Sequence, residues 1–313
     1  MKNKSSSSHH ILAKFYKPTY EILNMKNKKS KFNKSVGWAL AHAVALTFLI
    51  GCAPKIQKPL PICPGKNTAA EALAALQVQT ENMVPIFARG TCKLLYDPNE
   101  PKQNFNIKIL LIKPPFELYL QADTGIISKA VEIGSNENEF WVAVRPNEID
   151  SYWWGLWSEQ NSGDAKGILI NPRTLLESLG IAEIDTAAQW SLSQEDGYDI
   201  LTKKIQGITA KKLKIYCCDY TVRTIEYFDN NGTPVAIAEL NNYTQVTENF
   251  SIPASIEIYS PPEDIENQFN VKFNLTPIRE ANEKQKNFAI VRNGDPQGFK
   301  HIYKVVNGQW YEQ

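Results

Sequence analysis

Residues 105–121 read FNIKILLIKPPFELYLQ, and this stretch decides the fold class. Phe105, Ile107, Ile109 and Leu111 alternate with Asn106, Lys108, Leu110 and Ile112. The first set makes one wholly apolar face, and the second turns apolar towards Leu110 and Ile112. Pro114 and Pro115 interrupt the run, after which Phe116, Leu118 and Leu120 alternate with Glu117, Tyr119 and Gln121. A period of two marks β-strands, here two of them meeting at a corner. A strand that is apolar on both faces packs a core on one side and something else on the other. A bound molecule and a helix fit that second place equally.

The same texture extends in both directions. Residues 86–96 form a strand closed by Pro98, and 129–134 and 140–145 flank the loop SNENE. Residues 150–157 (DSYWWGLW) are aromatic. Further strands are expected at 198–204, 213–218, 221–228, 235–243, 252–259, 269–275 and 303–306, with a DNNG turn at 229–232. The count is about ten antiparallel strands, and two helices interrupt them. Thr68 and Glu71 form a capping box, after which Ala69, Ala72, Leu73, Leu76 and Met83 recur at helical spacing until Pro85. Asn171, Pro172 and Gly180 cap a second, short helix with Leu175, Leu176 and Leu179 on one face. Residues 67–313 are enough for a single β-rich core, and no internal repeat is visible.

Of the 313 residues, 43% are apolar, an ordinary globular composition. The net charge of +1 conceals an asymmetry. Residues 1–51 hold nine of the 34 bases and a single acid, Glu21, so residues 52–313 carry a net charge of −7. An acidic body lacks the electrostatic footprint of nucleic-acid binding. Beyond residue 51 only His301 remains of the four histidines. That removes most histidine metal sites and most triad chemistry. From Met25, five lysines up to Lys34 precede a fifteen-residue run, VGWALAHAVALTFLI, at 36–50. This order of charge, short apolar run and small residue is that of a secretory signal peptide, with the true start at Met25. The run is short for a spanning helix, and an uncleaved anchor is the alternative.

Leu49-Ile50-Gly51-Cys52 resembles a bacterial lipobox at all four positions. The resemblance implies cleavage of residues 1–51, diacylglycerol on the Cys52 thiol, and acylation of the new N-terminus with chains of the palmitate class. Ala53, where enteric inner-membrane lipoproteins have Asp, implies delivery to the outer membrane, facing the periplasm. Residues 52–66 would then be the lipidated cysteine and a proline-rich tether. The body itself is similar to the LolA/LolB family of periplasmic lipoprotein carriers. The likeness rests on the capped helix leading into a strand, the Lys113-Pro114-Pro115 corner within LLIKPPFELY, the SNENEFWV segment at 135–142, the short helix at 171–180, and the hairpin at 228–243. It implies a half-closed, strongly curved antiparallel β-barrel covered by the N-terminal amphipathic helix and a short lid helix. It also implies an apolar cavity for acyl chains, with Arg89 as the strand arginine that gates the lid and residues 153–157 as a protruding apolar loop.

The cavity candidates are Leu110, Ile112, Leu118, Leu120, Trp141, Trp153, Trp154, Leu156, Trp157, Leu175, Leu176 and Leu179. Each has a plainer reading: the aromatic cluster can fill the core of a curved sheet, and the leucine helix can be an ordinary packed helix rather than a lid. Cys63, Cys92, Cys217 and Cys218 are available for disulfides in an oxidising compartment, with connectivity open. No catalytic constellation, metal site or cofactor motif stands out. The expectation is a non-catalytic, monomeric outer-membrane lipoprotein. Its partners are the membrane, through its acyl chains, an acyl chain of a lipid or lipoprotein as cargo, and an envelope protein. The alternative is a structural or interaction lipoprotein with a filled barrel. Trp153→Glu and Leu176→Glu are expected to abolish lipid uptake without unfolding. Metabolic labelling with palmitate should mark the wild-type chain and leave Cys52→Ser unlabelled; equal labelling of both would remove the lipobox reading.

Overall fold

The computed structural model describes residues 61–95, 103–113, 117–145, 150–159, 172–181, 185, 188–261, 268–292, 296, 298–306 and 309–313. The expected signal peptide, Cys52, most of the tether and the Pro114-Pro115 corner lie outside these residues. Residues 62–313 form one compact unit with a single continuous sheet and its own core, the property that lets a domain fold alone.

The chain enters through α1 (Ala69–Glu81). Thr68 Oγ1 accepts from the Glu71 backbone N–H at 3.2 Å, while the Glu71 carboxylate reaches one residue further out, to the Asn67 N–H at 2.9 Å. Six strands follow: β1 (Ile86–Leu95), β2 (Gln103–Lys113), β3 (Glu117–Asp123), β4 (Val131–Ser135), β5 (Glu139–Val144) and β6 (Ser151–Leu156). After α2 (Pro172–Ser178) come β7 (Gln189–Glu195), β8 (Tyr198–Ile205), β9 (Ile208–Tyr216), β10 (Thr221–Phe228), β11 (Pro234–Thr247), β12 (Phe250–Tyr259) and β13 (Asn270–Glu280). A one-turn helix α3 (Glu283–Lys286) leads to β14 (His301–Val306) and β15 (Gln309–Glu312).

The fifteen strands among the described residues lie in one sheet, ordered β15-β14-β6-β5-β4-β3-β2-β1-β13-β12-β11-β10-β9-β8-β7. Two meanders, β1–β6 and β7–β13, are joined where β1 pairs antiparallel with β13, with Cys92 opposite Phe273. The expectation of about ten strands was low. The edge strand β7 (QWSLSQE) is largely exposed and carries little apolar alternation, and β15 is only four residues long. One ladder also departs from the antiparallel rule: β14 runs parallel to β6, Tyr303 beside Trp153.

One main cluster draws on both meanders, with Leu111 of β2, Leu118 and Leu120 of β3, Leu213 and Ile215 of β9, Leu240 of β11 and Phe273 of β13 in it. Ala72, Leu73 and Leu76 of α1 and Leu175, Leu176 and Leu179 join it. Residues from both halves meet in one core only if the sheet curls around them, so this is the inner face. Each buried leucine contributes about 1.5–3 kcal/mol.

The opposite face is also covered. Phe87, Leu110, Tyr119, Gly134, Trp141 and Trp154 stand in register across β1–β6. The Trp141 ring lies where a Gly134 side chain would be, 2.1 Å from an ideal Cβ, so only glycine fits there. Residues 281–292 and 298–300 cross this surface as a strap. Phe288 packs on Tyr119 at 5.8 Å, Ile290 enters a cluster with Trp141 and Tyr152, and Phe299 packs on Tyr152 at 5.3 Å. Arg292 fastens it, 2.7 Å from Glu139 and 4.0 Å above the Trp154 ring. Beneath, Glu132 accepts from the Tyr119 hydroxyl and pairs with Arg145 at 2.8 Å and Lys129 at 3.1 Å. Burial pulls its carboxyl upward, but these three donors outweigh burial and hold it below the usual carboxylate range.

The N-terminal approach is pinned to the body. Cys63 and Cys218 form a disulfide with Cα atoms 5.0 Å apart. Beside it, the fully buried Asp199 accepts from the Lys66 N–H at 2.9 Å, the Tyr220 hydroxyl at 3.0 Å and Gln194 Nε2 at 3.1 Å. Residues 62–66, expected as free tether, are therefore part of the packed body. Cys92 is a free buried thiol whose pKa burial raises to about 12, and Cys217 is free and half-buried.

The disulfide spans 155 residues. Replacing both cysteines by serine should lower the urea-unfolding free energy by about 2–5 kcal/mol; an unchanged value would show that Asp199 alone holds the segment. The Glu132 cluster sets a second expectation. A depressed carboxylate contributes stability that is fully present above its unfolded pKa and lost as pH falls through its folded value. The urea midpoint should therefore drop on acidification below the ordinary glutamate range, and Glu132→Gln should shrink that drop. An identical acid dependence in the variant would refute the assignment.

Candidate functional site

The inner face carries α2 across it. The helix packs against β4 of one meander and β11 of the other, so it bridges the curved sheet. Leu175, Leu176 and Leu179 are 7%, 1% and 2% exposed and point into the main core. Gly180, at φ +76°, closes the helix, and its N–H reaches the Glu177 carbonyl at 2.9 Å. Asn171, the expected N-cap, lies outside the described residues.

An ion pair ties α2 to the sheet: Lys211 Nζ of β9 lies 2.6 Å from Glu177 Oε2. The same ammonium sits 5.6 Å from the centroid of the Tyr227 ring on β10. The Tyr227 hydroxyl is buried and makes no hydrogen bond of good geometry. Burial, with the Glu177 carboxylate second, pushes its pKa well above the usual tyrosine value. A polar trio in an otherwise apolar enclosure sits under the helix. Sequence reasoning passed over it, although a signal was present: Lys211 shares strand parity with the inward Leu213 and Ile215, which is a lysine on an apolar face.

The expected cavity residues separate into two groups. Leu118, Leu120, Leu175, Leu176 and Leu179 meet on the inner face. Trp153 is buried on the same side by its pairing with Val142, and it stacks on Tyr303 at 5.7 Å. Leu110, Ile112, Trp141 and Trp154 lie on the outer face, where the latter three belong to the strap-covered cluster. Strand alternation forbids all of them from lining one cavity. The second apolar face of residues 110–112 is thus explained by the protein's own strap. Leu156 ends β6, half-buried, and Trp157 begins a short 3₁₀ turn, donating Nε1–H to the Asn136 carbonyl at 2.7 Å and packing on Phe140 at 4.8 Å. Residues 153–156 are a paired strand rather than a protruding loop, because β14 flanks them on the side away from β5.

Arg89 is exposed on the outer face, 5.5 Å from the Phe87 ring. It cannot gate α2; Lys211 is the base that reaches it. Of the four candidate disulfide cysteines, Cys63 and Cys218 pair while Cys92 and Cys217 do not. Burial, and then Asp199, raise the Cys217 pKa, making it a poor nucleophile. His301 Nδ1 lies 2.7 Å from Glu312, and its exposed ring stacks beside Tyr303 at 6.3 Å. Among the described residues no group of three His, Cys, Asp or Glu side chains is arranged to hold a metal ion. Among the described residues, what lies beneath α2 is apolar surface with the Lys211–Glu177 pair at its margin.

No family model matches the chain, and no curated protein matches its sequence. Solved structures match its shape. A domain described as an outer membrane lipoprotein-sorting protein from Vibrio parahaemolyticus superposes with a TM-score of 0.50 at 12% identity, covering 69% of this chain and 95% of its own. A LolA superfamily protein from Nitrosomonas europaea gives 0.48 at 12% identity, covering 72% and 98%. At such identities the likeness concerns the fold. The body of this protein, an unclosed curved sheet with a capped helix before it and a short helix across it, has the LolA/LolB-like fold.

Proposed function

We propose that this protein is a non-catalytic, outer-membrane lipoprotein that faces the periplasm and takes acyl chains of lipids or lipoproteins against its inner face, in transport or sorting. The observation that carries this reading is the fastening of α2. Seven residues are too few for a helix to be stable alone, so α2 owes its order to three leucines and the Lys211–Glu177 pair. Such a helix can swing away and return as a unit. On opening, its leucines and those of β3 offer an apolar trough, and acyl chains would partition into it in proportion to the apolar area buried. No bond is made or broken. The signal peptide, the lipidation of Cys52 and a monomeric state are parts of the same proposal. The lipoprotein-sorting description of the Vibrio parahaemolyticus domain is compatible with it.

A second reading, a filled scaffold that docks an envelope protein, is favoured by one observation: Leu118 and Leu176 are 0% and 1% exposed with α2 closed. Titration with a fluorescent long-chain fatty acid separates the two. Saturable binding near one per chain supports the carrier, and absence of binding supports the scaffold. Trp153→Glu and Leu176→Glu do not serve as tests, because both sites are buried and a carboxylate there would unfold the core. Lys211→Met is the sharper variant. It unlatches α2 while keeping its leucines, and acyl uptake should quicken by about tenfold if the pair contributes about 1.4 kcal/mol to closure. An unchanged uptake rate would remove α2 as the lid.

A further inference from the structure

The β8–β9 hairpin ends in Ile205-Gln206-Gly207-Ile208, and its two isoleucines are each 41% exposed. They face one another across the tightest possible turn: Ile205 pairs with Ile208, and the two residues between have φ of +52° and +82°. This two-residue loop has the positive φ values that match strand twist, so the apolar tip is presented on a defined backbone. Gly207 has nothing within 4 Å of where a side chain would be, while Ile208 Cγ2 comes within 3.3 Å of the corresponding point at Gly232, so the tip is open on one side and rests on the β10–β11 turn on the other. The stem is basic. Lys203, Lys204, Lys211, Lys212 and Lys214 fall between Ile200 and Cys218, a stretch without Asp or Glu, in a body whose net charge is −7. Lys203, Lys211 and Lys212 have carboxylate partners on other segments, Asp185, Glu177 and Glu226. Lys204, next to the tip, and Lys214, over the Tyr198 ring at 4.6 Å, complete the set.

We propose that this hairpin tip docks on an anionic phospholipid bilayer, with Ile205 and Ile208 entering the interface and Lys204 at headgroup level. Two part-exposed β-branched side chains with the Lys204 ammonium beside them match a surface that is apolar within and negative at its rim. An acidic body is repelled by such a surface as a whole, so contact is confined to this one basic projection and the docking is directional. The chain leading into the body is long enough to allow it. The tether is pinned by the Cys63–Cys218 disulfide at the end of β9 away from the tip. The eight residues of β8 span about 26 Å. The eleven chain steps from Cys52 to Cys63 reach about 36–40 Å when extended. Were Cys52 lipidated as proposed above, the tip would still reach the same leaflet.

The test uses residues 62–313, which lack the lipidation site, so that any membrane binding belongs to the body. Vesicles of phosphatidylcholine alone and of phosphatidylcholine mixed with phosphatidylglycerol are sedimented with it. Binding is expected on the anionic vesicles, weakened by high salt, and lower by about tenfold or more on neutral ones. Ile205→Glu with Ile208→Glu should abolish it, and Lys204→Glu should weaken it. An Ile205→Ser, Ile208→Ser variant with an unshifted melting curve excludes misfolding as the cause. Absence of binding by the wild type, or equal binding by the double variants, overturns the proposal. Fatty-acid uptake by the same samples reports separately on the inner face. Its loss with vesicle binding intact would overturn the carrier reading and leave this one standing.

Discussion

The pairing of β1 with β13 is the constraint on which the rest depends. It joins the first strand of the body to the thirteenth, across nearly two hundred residues of chain, and turns two meanders into one sheet. Without it, the inner faces of β2–β3 and of β9–β12 would be separate half-cores, each too open to exclude water. With it, one core forms, and α1 and α2 have a curved surface to lie in. Such a long-range contact is formed against a large loop-closure entropy. The disulfide shortens that problem from another direction by fixing residue 63 to residue 218, on the β8–β10 side of the same sheet.

A curved sheet has an outer face as well, and over β1–β6 that face is apolar. A sheet this broad with Tyr119, Trp141, Tyr152 and Trp154 exposed would invite association. The chain answers by folding residues 281–292 and 298–300 back over it and then adding β14 in parallel to β6. The charges here are placed to hold the strap rather than to do chemistry. Arg292 meets Glu139 and Trp154 at once, and Arg145 bonds Glu132 while lying 5.1 Å from the Phe299 ring.

Much of this was legible in the sequence because it follows from alternation. The period of two at 105–121, the Thr68 N-cap and the Pro172–Gly180 helix correspond to elements that exist, although Glu71 accepts from Asn67 instead of closing a capping box on Thr68. The two-sided apolar character of Leu110 and Ile112 correctly signalled two covered faces. What alternation cannot supply is the identity of each cover, since the strap lies some 170 residues further on and is itself irregular. The same blindness explains the aromatic run at 150–157, whose flanking strand comes from the C-terminus. β7 escaped because a polar edge strand has no apolar period. Asp199 is a different case. A carboxylate on the inward parity of Leu201 was visible, but its partners, Lys66 N–H, Gln194 and Tyr220, converge only in three dimensions.

The two helices on the inner face are fastened very differently, and that difference bears on how the molecule can work. The thirteen-residue α1 is tied at both ends: the disulfide and Asp199 hold its approach, and Gln79 Nε2 bonds the Asp219 and Tyr220 carbonyls near its exit, at 3.3 and 2.9 Å. Displacing it would require breaking a covalent bond or exposing Asp199. Among its described side chains, the seven-residue α2 has the Lys211 ion pair to the sheet and three leucines. Local opening follows the least-fastened element, because the free energy of exposing a segment is set by the contacts it alone makes. In the proposed carrier, motion on this face would fall to α2 while α1 stays as the fixed wall. A guest entering beneath α2 would then meet a rigid surface on one side and a separable one on the other. On that proposal the asymmetry would let an apolar trough open without the sheet losing its core.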